Sequence, residues 1–137
     1  MRLLALDRIE SVKEKSDRRR INIPLTFNPI EYFKYCFGII RNNISNPNLT
    51  HEKVTIKLEP NNWILPYVMK YPLHFTQEVK EVNEETKEAI IELDIEINDE
   101  LVSLILKYTE YMTVVSPERL RIKVIERLQK SLSNYHF

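Results

Sequence analysis

From Ile91 to Ile97 the chain alternates without a break: Ile91, Leu93, Ile95 and Ile97 fall on one side of an extended backbone, and Glu92, Asp94 and Glu96 on the other. Strand side chains point to opposite faces at a period of two, so this segment presents one wholly aliphatic face and one wholly acidic face. Such a strand cannot stand alone. Its aliphatic face needs a covering layer, and its backbone needs neighbouring strands.

The flanking sequence supplies both. Val54, Ile56 and Leu58 alternate with Lys53, Thr55 and Lys57, the pattern of a half-buried strand. Phe75 to Val82 reads as a further strand, Asn83-Glu84-Glu85-Thr86 as the turn that follows it, and Met112 to Val115 as a fourth strand. A short helix is expected from Asn62, with Pro66 close enough to its start to cost little hydrogen bonding. Asn98 or Asp99 caps a second helix, whose apolar positions Leu101, Leu104, Ile105 and Tyr108 have helical spacing. Ser116-Pro117-Glu118 reads as a cap, a first-turn proline and an acid that favours the helix dipole. The helix it opens carries Leu120, Val124, Leu128 and Leu132 at steps of four. The order is strand, helix, strand, strand, helix, strand and a terminal helix. Short connections and right-handed crossovers then give a ferredoxin-like α+β sandwich, βαββαβ, with an added C-terminal helix.

The N-terminal part has a different character. Residues 1–48 carry nine basic and five acidic side chains, and residues 49–137 carry eleven and fifteen, so a formal net charge of zero hides opposite halves. The polar stretch 42–48 has the composition of a linker. Two units follow from this, 1–48 and 49–137. In the first, residues 2–15 mix apolar and charged residues in a strand-like way. Asn28-Pro29 then opens a short aromatic-rich helix over Ile30 to Phe37, with Gly38 as its C-cap.

Gly38 is the single glycine, which excludes a G-x-G-x-x-G turn or a Walker loop, since those need several glycines around the phosphates. One cysteine, Cys36, allows no internal disulfide and fits a reducing cytoplasm. The apolar runs are too short to span a bilayer, so no membrane partner is expected, and Met1 to Arg8 is too charged for a signal-peptide core.

Two segments together resemble a known family. Arg2-Leu3-Leu4-Ala5-Leu6-Asp7-Arg8-Ile9 resembles the closing R-x-F-x-L-D-R-I strand of the WYL domain, an Sm-like barrel of bacterial transcriptional regulators. Val115-Ser116-Pro117-Glu118-Arg119-Leu120-Arg121 resembles part of the C-terminal extension of those regulators, called WCX. Phe33 to Gly38 looks like the connecting segment, and Pro72 to Gln77 like the second WCX strand. The Trp-Tyr-Leu tripeptide is absent, since the one tryptophan lies in Trp63-Ile64-Leu65, and there is no winged helix. The resemblance therefore implies the tail of a regulator, with a strand and a short helix left from the barrel in front of the WCX unit. It also implies a cytoplasmic homodimer. The parent would bind DNA through an upstream domain and a nucleotide or nucleic-acid ligand through the WYL barrel.

Arg2 and Arg8 match positions of the family's basic groove, and arginine suits bidentate phosphate contact. Arg18, Arg19 and Arg20 form a run that suits a polyanion, although a solvated loop guarding a strand edge is the simpler reading. His74 and Gln77 match the WCX strand pattern and are candidates for effector contact, with packing or strand-end hydrogen bonding the commoner role. His51, His74 and His136 lack metal-ligand spacing, and no metal or cofactor is expected. Cys36 reads as a buried small hydrophobe. Glu92, Asp94 and Glu96 stand about 7 Å apart along one face by strand geometry. Without signs of a pocket they read as a solvated outer face. No nucleophile motif surrounds Ser103, Ser116, Ser131 or Ser133, so a non-enzymatic module is preferred. The alternatives are a structural interaction module and a small acylphosphatase-like enzyme. The latter needs an arginine and an asparagine around a phosphate-sized loop.

Overall fold

A computed structural model of the chain describes residues 9–13, 25–41 and 51–135. Strand β1 (His51–Leu58), helix α2 (Ile64–Lys70), strands β2 (Glu78–Val82) and β3 (Ala89–Glu96), helix α3 (Asp99–Lys107), strand β4 (Met112–Ser116) and helix α4 (Glu118–Ser133) follow a short helix α1 (Pro29–Phe33). The four strands form one antiparallel sheet in the order β2-β3-β1-β4. This is the α+β ferredoxin-like arrangement with an added C-terminal helix.

The alternation in β3 places it next to β1, in a register that sets Leu93 against Val54 and Ile91 against Ile56. Val54, Ile56, Leu58, Ala89, Ile91, Leu93, Ile95, Met112 and Val114 are all buried, on the side where α2, α3 and α4 pack. Ile64, Leu65 and Val68 of α2, Leu101, Val102 and Ile105 of α3, and Leu120 and Val124 of α4 close the layer. At about 1.5–3 kcal/mol for each large apolar side chain removed from water, this layer dominates the stability of the fold.

Several local readings change. The aromatic segment is helical only over Pro29–Phe33, with Lys34 as C-cap, because Tyr35 leaves the helix to bond with the sheet. Gly38 is therefore not a helix C-cap, though it does take positive φ, at 68°. The strand expected from Phe75 begins only at Glu78. Gln77 N–H bonds to His74 C=O and the Thr76 hydroxyl bonds to the backbone of Asp94, which makes 74–77 a turn. Helix α2 opens at Ile64, later than Asn62, and the Asn61 carboxamide oxygen accepts from the N–H groups of Trp63 and Ile64. Pro117 itself occupies the N-cap of α4, and Ser116 remains in β4 with its hydroxyl bonded to Thr55. Leu128 and Leu132 lie beyond the core and are exposed. Of the strand-like stretch 2–15, residues 9–13 carry no strand and the remainder lies outside the described residues.

The acidic face of β3 is the largest correction. Glu92 lies between Lys80, at 3.2 Å, and Lys53, at 3.5 Å, and the hydrogen bond from Lys80 holds its carboxyl below the usual range. Asp94 meets His51 at 2.7 Å. Glu96 is buried against Arg41 at 3.3 Å. Each carboxylate has found a basic partner from another segment; Glu92 and Asp94 keep part of the solvated face expected from the alternation, and Glu96 is withdrawn from water altogether.

Candidate functional site

The residues that enclose Glu96 belong to segment 35–41, which lies across the end of β3 and the N-terminus of α3. Asn98 organises this contact. Its carboxamide oxygen caps α3 by accepting from Leu101 N–H at 2.9 Å. Its carboxamide nitrogen donates to the carbonyls of Phe37, at 2.8 Å, and Ile40, at 2.7 Å. One buried side chain thus satisfies a helix end and gives two loop carbonyls, otherwise met only by the weak Cys36 thiol donor, their strong hydrogen bonds.

Glu100 adds a second attachment. Its Oε2 accepts from the backbone N–H groups of Ile39 and Ile40, both at 2.8 Å. The left-handed conformation of Gly38 turns these two donors towards the same carboxylate, and a Cβ on Gly38 would fall 2.4 Å from that oxygen. Arg41 completes the segment: its guanidinium pairs with Glu96, donates to the Tyr32 carbonyl and lies 4.8 Å from the Tyr32 ring centroid. Tyr35 accepts from Glu96 N–H at 2.7 Å and stacks on His51 at 3.7 Å between centroids. Cys36 is buried among these groups. Burial, reinforced by the negative charge of Glu96, pushes its thiol up to about 11.

His74 and Gln77 sit on the adjoining turn. Gln77 donates to Val68 C=O at 2.8 Å and accepts from Leu73 N–H at 2.9 Å, fixing the exit of α2. His74 bonds through Nδ1 to the Thr76 hydroxyl at 2.8 Å, and burial lowers its pKa. It also lines a groove of about 420 Å³ with Ile30, Phe33, Lys34 and Phe75, between α1 and the turn. Arg2, Arg8, Arg18, Arg19 and Arg20 lie outside the described residues. Among the described residues, no group of three His, Cys, Asp or Glu side chains could hold a metal ion. No described helix is long and apolar enough to cross a membrane.

The WCX domain family matches residues 50–132, more than half of the chain. The chain belongs to the WCX family. The WCX domain is a C-terminal domain of WYL regulators, proteins whose known roles are regulatory. No curated protein sequence matches this chain. The matched region takes in Asn98, Glu100 and Glu96, whereas the segment they grip, 35–41, precedes it. The junction therefore joins the WCX domain to whatever stands before it.

Sequence reasoning missed Arg41, Glu96 and Glu100 as members of one site. Their pairing spans about sixty residues and has no local pattern. Asn98 was legible only as a helix cap.

Proposed function

We propose that this chain is the C-terminal regulatory part of a WYL-type, DNA-binding transcriptional regulator. In this reading the WCX domain couples ligand binding by the upstream barrel to the arrangement of an upstream DNA-binding domain in a homodimer. The observation that carries it is the grip of Asn98, Glu100 and Glu96 on segment 35–41, within and just before a matched WCX domain. A coupling element must transmit a shift without absorbing it, and a segment held by hydrogen bonds from the buried Asn98 and by a buried ion pair meets that requirement.

Arg2, Arg8, Arg18, Arg19 and Arg20 contribute the contacts to the polyanionic ligand in this reading. His74 meets the effector through the groove it shares with Phe33 and Phe75, and Gln77 holds the turn beneath it. The test uses the full-length regulator, with its operator DNA and a short single-stranded oligonucleotide as ligand. Arg2→Ala with Arg8→Ala should weaken oligonucleotide binding by calorimetry and leave operator binding without ligand unchanged. Asn98→Asp should preserve both affinities but reduce the effect of one on the other. Unchanged coupling in Asn98→Asp would remove the junction from the mechanism, and a monomer by light scattering at high micromolar concentration would overturn the dimer.

A further inference from the structure

Strand β2 is outermost in the sheet. It bonds to β3 along one side, and no described strand pairs with the other. Val79 and Val82 stand opposite Ile91 and Ala89, on the helix-facing side of the sheet. Every corresponding residue of β1, β3 and β4 is buried, yet Val79 and Val82 are each 39% exposed. The helical layer stops short of covering this edge.

Between α2 and the β2 edge lies a groove of about 670 Å³, walled by Leu65, Met69 and Val82, with Lys70, Lys87 and Glu84 among its polar residues. Met69 is 61% exposed on a helix whose other side forms the core. Lys87 pairs with Glu84 at 3.2 Å. Lys70 has no carboxylate partner among the described residues; its ammonium lies 5.3 Å from the Tyr71 ring centroid. The bulge between Val79 and Glu81 interrupts the ladder, leaving the regular edge from Glu81 towards the hairpin, which is the stretch the groove adjoins through Val82.

We propose that this groove receives an extended peptide segment of a partner protein, added to β2 as a fifth strand, with an apolar side chain in the groove and an acidic residue against Lys70. An open sheet edge supplies main-chain hydrogen bonds, and a neighbouring pocket selects alternate side chains of the incoming strand. A strand added about 4.8 Å outside β2 carries every second side chain over the groove and extends the half-finished apolar layer. The free ammonium of Lys70 sets the charge of the partner. This inference stands apart from ligand sensing, because the groove shares no lining residue with the junction or with the groove beside His74.

The probes are four acetylated, amidated nonapeptides of alternating threonine and one apolar residue (leucine, isoleucine, phenylalanine or tyrosine), with aspartate at both ends. Titrated into the full chain and followed by backbone amide NMR, at least one should saturate, with shifts centred on 78–82 and on α2, while β4 amides stay unmoved. Met69→Asp should weaken it about tenfold or more, a loss of about 1.4 kcal/mol. Lys70→Glu should weaken it and restore affinity for the same peptide ended by lysines. Both side chains are exposed, so both variants should keep the wild-type melting temperature. No saturable shift from any of the four overturns the proposal. So does equal binding of the backbone N-methylated peptide, or the same groove shifts from octanoate without movement of β2 amides, which would assign a small-molecule pocket. Concentration-dependent β2 shifts in the protein alone, abolished by Met69→Asp, would assign the groove to a second copy and overturn it too.

Discussion

Arg41 and Glu96 form an ion pair 3.3 Å apart with side chains 3% and 1% exposed, across a separation of more than fifty residues. The pair joins the segment leading into the WCX domain to the last residue of its central strand. Breaking a buried ion pair by removing one member costs about 3–5 kcal/mol, whereas replacing both by apolar residues is far milder. Arg41→Met and Glu96→Gln should each lower the melting temperature strongly, and Arg41→Met with Glu96→Met should recover much of the loss. Thermal unfolding followed by circular dichroism, as a double-mutant cycle, measures the coupling. Additive losses would show that the two side chains act separately.

Asn98 separates two roles by the two ends of its carboxamide. Asn98→Asp keeps an oxygen for Leu101 N–H but replaces the donor to Phe37 and Ile40 by a second acceptor, so the helix cap survives and this part of the grip is lost. Asn98→Ala loses both, at about 1–3 kcal/mol for each buried group left unsatisfied. Hydrogen exchange should quicken at 36–41 in Asn98→Asp, and in α3 as well in Asn98→Ala. Equal protection at 36–41 in wild type and Asn98→Asp would contradict the assignment.

Gly38→Ala is expected to be harmful for two independent reasons. An alanine at φ 68° costs about 1–2 kcal/mol by itself, and its Cβ would displace the Glu100 carboxylate from Ile39 and Ile40. Glu100→Gln, which retains one acceptor oxygen, should be milder. Gly38→Ala in a Glu100→Ala background should cost less than in the wild type, a difference readable in urea midpoints.

His74 makes stability depend on acidity. Burial lowers its folded pKa below the unfolded value of 6.5. The unfolded chain therefore takes up a proton first as pH falls, so this contribution is complete above about 6.5 and is lost as pH falls through the folded pKa. Stability measured between neutral and mildly acidic pH should fall on acidification, and fall less steeply in His74→Gln.

Cys36 should be inert in the native state. Its thiol is buried and pushed up to about 11, so little thiolate exists near neutral pH. Reaction with an aromatic disulfide reagent should be slow in the wild type and should quicken in Asn98→Asp, where the segment that holds Cys36 loses two of its hydrogen bonds.

The alternation of β3 determined a great deal by itself. It required a sheet, an apolar layer and flanking strands, and the caps and turns between them set the element order, because these signals are local and repeat at the period of the backbone. The same alternation misjudged its own acidic face. Whether Glu96 meets water or Arg41 depends on where a segment some fifty residues earlier comes to lie, and spacing along the chain carries no such information. For the same reason Asn98 was visible as a cap and invisible as a clamp. The family resemblance likewise rested on contiguous residues, while the junction and the open edge beside α2 came only from the way β2 and segment 35–41 were placed by the packed core.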